Sequence, residues 1–230
     1  MRIIARRTLK EFVEGRAGHK DQPALKAALD AWFSEVSKAD WASSADVKRH
    51  YATASIISAD RIVFNIKGNS YRLVAAVDFE KAIVFIKWIG THADYDRSTS
   101  GRYSMATDIK PIRNDTDHAA ALVEVEHLWG AKSGTSKGDR LDVLATLIAA
   151  YEEQHFPMDP PDPIEAIKFR MEQQGLTRKD LEAMIGTRTR IAEVLSRKRS
   201  LSIAMIRRLH ETLGIPAEVL IQPSRKHEAT

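Results

Sequence analysis

The spacing of apolar positions changes along the chain and divides it into parts. Leu25, Leu29, Trp32, Phe33 and Val36 recur every three or four residues, which predicts an amphipathic helix behind a short apolar strand over residues 1–5. Four runs follow at 54–57, 61–66, 71–77 and 82–89, rich in β-branched and aromatic residues, and these predict strands. Lys67, Gly68 and Asn69 separate the middle two, where Gly and Asn supply the positive φ that a tight hairpin needs. Helices ahead of an antiparallel sheet predict a compact α+β domain.

Beyond residue 105 only the helical period remains, so the rest is predicted to be all-α. Residues 116–130 form one helix, capped by Asp115 or Thr116, with Leu122, Val125 and Leu128 in phase, and 141–155 form the next. The segment FPMDPPDP, residues 156–163, holds four of the eight prolines and cannot continue a helix, so it reads as a semi-rigid spacer. Pro163 suits a first helical position, Ile167 and Met171 line one face, and Gly175 stops that helix. Thr177 and Asp180 have the spacing of a capping-box variant that opens a helix over 178–184, ended by Gly186. Thr187 caps a third helix, which turns Ile191, Val194 and Leu195 inward.

The organisation expected is therefore an α+β domain over 1–97, a small polar junction STSGRYS at 98–104 and a helical segment over 105–155. The spacer at 156–163, a helix-turn-helix domain over 164–222 and a polar tail at 223–230 complete it. Met105 begins a stretch that looks like the start of an independent protein, either a natural gene fusion or an engineered join.

Charge sharpens this division. The net charge of +4 resolves into +5 over 1–104, −6 over 105–163 and +5 over 164–230, so two basic blocks flank an acidic one. Basic blocks suit phosphate-bearing partners, and an acidic block between them suits covering one of them. The chain has no cysteine, which removes disulfides and Cys-based zinc sites and fits a reducing compartment. No stretch approaches the roughly 18 apolar residues of a membrane span, and the N-terminus MRIIARRTLK lacks a secretory apolar core. A cytoplasmic protein with no membrane partner is expected. No HExxH, P-loop or Cys/His cluster is present, so neither a metal nor a cofactor is expected.

Two short helices about a Gly turn are the helix-turn-helix pattern, whose second helix enters the major groove of DNA by its N-terminal residues. Arg188, Thr189, Arg190 and Glu193 face outward on that helix, with Thr177 and Thr187 at the helix starts. Arg reads guanine bidentately, Thr meets a thymine methyl, and the run Arg197, Lys198, Arg199 suits phosphates. The string GLTRKDLEAMIGTRTRIAEVLSRKRSLS resembles the Cro and phage-repressor helix-turn-helix family, which implies operator DNA as partner and a dimer on paired half-sites.

The run RIVFNIKGNSYRLVAAVDF followed by IVFIKWIGTHADYD resembles the HigB toxin family, RelE-like messenger-RNA endoribonucleases that act on the ribosome. The segment beginning DIKPIR, with HFPMDPPDPIEAIKFRMEQQGLTRKDL further on, resembles the partner antitoxin HigA. The resemblance implies a toxin half that cleaves mRNA, neutralised by contact with an antitoxin half through which the protein dimerises. Metal-free cleavage, in which a ribose 2′-OH attacks the adjacent phosphorus, needs a base, an acid and cations against the developing charge. Arg72 and His92 are the first candidates, then Lys67 and Tyr95, with Lys87 as a further phosphate clamp. Neutralisation is expected from the acidic helices, through Glu124, Glu126, Asp139, Asp142, Glu152 and Glu153, packed on the basic toxin surface so as to block ribosome entry without touching the catalytic groups, or else by direct occlusion of the active site. The alternative is a helix-turn-helix regulator whose N-terminal domain is a non-catalytic sensor or RNA-binding module.

Overall fold

The computed structural model describes residues 1–68, 70–91, 94 and 109–223. The chain opens with β1 (Arg2–Ile4) and helices α1 (Arg6–Glu14), α2 (Gln22–Lys38) and α3 (Ser44–His50). Four strands follow: β2 (Ser55–Ile56), β3 (Arg61–Ile66), β4 (Tyr71–Asp78) and β5 (Ile83–Thr91), arranged in the order β1-β5-β4-β3-β2. β2 to β5 form an antiparallel meander, whereas β1 joins β5 in parallel, with Ile3 opposite Val84. The parallel pair adds to the antiparallel sheet expected, and its cause is the long helical excursion after β1, the kind of crossover that parallel strands require. In the β3–β4 turn Lys67 and Gly68 take φ of 53° and 58°, so a lysine holds one of the positive-φ positions expected of Gly and Asn. Asn69 lies outside the described residues.

One face of the sheet packs on α1 and α2. Ile62, Phe64 and Ile66 alternate toward it and are fully buried, and Trp32 and Tyr51 meet the Phe64 ring edge-on at 5.4 and 5.2 Å. Burying each such side chain contributes roughly 1.5–3 kcal/mol.

Next come α4 (Asp115–Leu128) and α5 (Ser136–His155), a helical hairpin. The α4 cap is Asn114, whose side chain accepts from the Asp117 N–H at 2.9 Å, not Asp115 or Thr116, which already lie inside the helix. α5 begins ahead of the expected position 141, under a Thr135 cap, because its first turn is polar and hidden from a reading of apolar period. Val125, Leu128, Leu141, Leu144 and Ile148 from this hairpin enter the same core as the sheet.

The last part holds α6 (Pro163–Gln174), α7 (Glu182–Ile185), α8 (Arg188–Leu195), α9 (Ile203–Leu213) and α10 (Ala217–Leu220) around a second core that includes Ile167, Leu181, Ile191, Val194 and Leu209. Asp162 caps α6 by accepting from the Ile164 and Glu165 N–H groups, and Gly175 ends it at φ 67°. α7 is shorter than the 178–184 expected. The Thr177 N–H and hydroxyl donate to the Asp180 carboxylate at 2.7 and 2.6 Å, but the residues between them and Glu182 stay in turns. No helix among the described residues is long and apolar enough to cross a membrane.

Candidate functional site

Strand alternation decides which side chains share the sheet face opposite α1 and α2. With Ile62, Phe64 and Ile66 in the core, Arg61, Val63 and Asn65 point the other way. Cross-strand register then adds Val74 and Trp88 beside Val63, Ala76 and Phe85 beside Arg61, and Arg72 beside Asn65. Lys87 reaches this side too, its ammonium 4.3 Å from the centre of the Phe85 ring. A bulge between β4 and β5 makes this possible: Ala75 pairs with Ile86 and Val74 with Trp88, leaving Lys87 unpaired and re-aiming consecutive side chains. The Trp88 indole lies against Gly90, where a Cβ would come within 2.2 Å of its ring and force it aside.

The face thus carries Arg61, Arg72, Lys87 and the Trp88 indole. Burial first, then the nearby Arg61, lower the Lys87 ammonium pKa to about 8, opposed by Asp60. An amine in that range holds or gives up a proton near neutral pH. Of the five residues singled out for cleavage, Arg72 and Lys87 fall on this same face. Lys67 goes to the helical side, where it pairs with Asp21 at 3.1 Å. Tyr71 also donates to Asp21, and these two bonds, Tyr71 first, hold the Asp21 carboxyl down at about 2. His92 and Tyr95 lie outside the described residues. Arg61, Asn65 and Trp88 escaped sequence reasoning, although the alternation of Ile62, Phe64 and Ile66 was a usable signal for the first two.

The acidic hairpin lies against this face. Glu126 of α4 contacts Lys87, Trp129 packs on Phe85 with ring centroids 5.7 Å apart, and the Trp129 indole N–H donates to Asp60 at 3.2 Å. Further along the seam, Asp142 contacts Arg2, the Lys81 ammonium donates to the Ala131 carbonyl at 2.7 Å, and Arg7 pairs with Asp115 at 2.9 Å. The Glu152 carboxylate, wholly buried, accepts from the Arg6 N–H at the start of α1 and from His118 Nε2 at 2.8 Å. Charge here is paired across the chain rather than within one block.

The second surface is the N-terminal end of α8. Thr187 caps it by accepting from the Arg190 N–H, and Thr187, Arg188, Thr189 and Arg190 are all exposed. Ile191 and Val194 anchor the opposite side in the second core. Arg188 and Arg190 make no ion pair among the described residues. Thr177, exposed, is engaged with Asp180. At the far end, Lys198 is exposed, Arg199 pairs with the half-buried Glu193 at 2.6 Å, and Arg197 turns inward to Asp162 and Glu165 at 3.1 and 2.8 Å. Arg197 therefore braces α8 against α6. No group of three or more His, Asp or Glu among the described residues is placed to hold a metal ion.

Two family profiles match these two surfaces in turn. Residues 25–98 match HigB_toxin, the RelE-like toxic component of a toxin-antitoxin system, and residues 167–220 match a helix-turn-helix family. The N-terminal part is thus similar to the HigB toxins and the C-terminal part to the HigA antitoxins and to helix-turn-helix domains. Among its relatives are the antitoxins HigA of Escherichia coli K12, of Escherichia coli O6:H1 and of Shigella flexneri. Each is 29% identical over 126 residues, which is 51% of this chain and 88% of the relative. The HigB-like region contributes the basic sheet face, and the helix-turn-helix is a DNA-binding domain.

Proposed function

We propose that this polypeptide unites a ribosome-dependent mRNA endoribonuclease with its own neutralising, operator-binding antitoxin. The observation that carries the reading is the contact of Glu126, from the acidic segment, with Lys87, from the basic sheet face. An RNA-cleaving face needs cations for the phosphate and a flat surface for a base, and Arg61, Arg72, Lys87 and Trp88 have that chemistry. In this reading Arg72 and Lys87 stabilise the charge that builds on the phosphoryl oxygens as the 2′-OH attacks, and His92 and Tyr95 serve proton transfer or base stacking. The Glu126 contact favours direct cover of a candidate group over a block that leaves those groups untouched. The antitoxin region binds operator DNA through Arg188, Thr189 and Arg190 and places two copies on paired half-sites.

The test is growth and mRNA integrity after induction of residues 1–97, beside the full chain and residues 105–230. Growth arrest with RNA cleavage by the first alone, relieved by co-expressing the last, is expected. A soluble, folded first segment that leaves growth and mRNA intact would sink the ribonuclease reading in favour of a sensor domain.

A further inference from the structure

Helix α6 serves two cores at once. Ile164 and Ile167 lie in the DNA-binding core, whereas Phe169, on another side of the helix, lies in the core of the sheet, its ring 6.3 Å from Tyr51. Three polar side chains around Phe169 reach the toxin region. Arg170, only 2% exposed, pairs with Glu35 of α2 at 2.6 Å and donates to the His50 carbonyl at 3.0 Å. The Tyr51 hydroxyl donates to the same Glu35 oxygen at 2.8 Å. Gln173, fully buried, donates to the Asn65 carbonyl at 2.8 Å and accepts from the Thr53 hydroxyl at 3.1 Å, and Glu172 accepts from the Gly68 N–H.

The sheet explains why these bonds fall where they do. β2 pairs with β3 opposite Ile62 and Val63, and the Ile57 N–H donates to the Arg61 carbonyl, so the end of β3 from Phe64 to Ile66 is an edge whose backbone groups need other partners. Gln173 supplies one with its side-chain amide, and Glu172 closes the turn beyond. A buried Arg–Glu pair adds little net stability, but either member left alone is costly, so such a contact selects its partner more than it tightens it.

We infer that the first helix of the DNA-binding domain is a second toxin-docking surface, one that seals the free edge of β3 and holds the two regions together independently of α4 and α5. It does not depend on the ribonuclease reading. Because Arg197 ties the end of α8 to the start of the same helix, the recognition helix and the toxin-contacting residues ride on one rod.

Hydrogen exchange on the full chain tests this at the amides of residues 65–71. With Glu172→Ala and Gln173→Ala combined, exchange there is expected to rise about tenfold, the effect of losing a hydrogen bond, while α4 and β5 keep their protection. Glu126→Ala is expected to do the reverse. Unchanged exchange over 65–71 in the double variant overturns the inference. Arg170→Met, which strands Glu35, is expected to split calorimetric unfolding into two transitions, and adding Glu35→Gln to restore one. A single transition in Arg170→Met, merely shifted in temperature, also overturns it. If Arg170→Met does not fold, the exchange result on the milder double variant decides.

Discussion

Two basic surfaces of this chain stand in opposite states. On the sheet face Lys87 is met by Glu126, and Phe85 by Trp129. At the start of α8, Arg188 and Arg190 project without an ion pair among the described residues. The blocks that supply them carry the same net charge of +5, so composition does not separate them. What separates them is the acidic hairpin, whose apolar side is built into the core of one surface and not of the other. A charge block states which partner a surface suits, and its neighbours in space decide whether that partner can reach it.

The comparison breaks most severely where the cover is anchored. Leu144→Ala, in the core shared by α5 and the sheet, is expected to cost about 2–5 kcal/mol in denaturant unfolding of the full chain, the range for a buried Leu-to-Ala cavity. A loss well under 1 kcal/mol would mean that the hairpin is only lightly attached. On the covered surface, Arg72→Ala in residues 1–97 is expected to lower RNA cleavage by on the order of 10²–10³-fold, the scale for removing one charge-stabilising group. Cleavage at the parent rate removes Arg72 from the site.

On the open surface, Arg188→Ala or Arg190→Ala is expected to weaken binding to the DNA upstream of its own reading frame by about 1–3 kcal/mol in gel-shift titrations and to relax discrimination at one base pair. Lys198→Ala is expected to weaken all sequences alike and to reduce the salt slope by about 1. Identical losses on operator and random duplex for the two arginines would assign them to phosphates instead.

The smallest effect concerns acid. Asp21 falls from its ordinary 3.8 to about 2 in the folded chain, so its contribution is present above about 4 and fades as pH drops toward 2. Asp21→Asn is expected to lower Tm slightly at pH 6 and not at pH 2. An equal loss at both would show that the Tyr71 and Lys67 contacts matter through packing alone.

Much of the fold was legible because its causes are local. Pro163 and Gly175 bound α6, Thr187 caps α8, and Arg61 and Asn65 between the apolar residues of β3 mark which of its side chains go inward, whereas β4 is buried on both faces. Where local signals misled, the reasons are also local: the polar first turn of α5, and a turn that keeps Thr177 and Asp180 bonded without continuing as helix. The candidate site was less legible. Arg72 and Lys87 were identifiable as cations on strands, but their sharing a face depends on the register of β4 with β5 and on a bulge that no composition announces. Lys67, two positions beyond Asn65, goes instead to the helical side because the turn reverses there.

By itself the sequence determined the long helix after β1, the strands, the hairpin helices and the start of the helix-turn-helix, the order toxin-like then antitoxin-like, and the exposed Arg188, Thr189 and Arg190 of α8, since periodicity, caps and turn residues act within a few positions. The short helices α1, α3, α9 and α10 were not read from it. Only the tertiary structure decided that Glu126 sits on Lys87, that Glu152 caps α1, and that Arg170 joins Glu35 across 135 positions of chain. Such contacts are long-range: apolar faces of α4, α5 and α6 must first find the sheet and its helices, and the polar groups they carry are then paired because burying them unpaired costs too much.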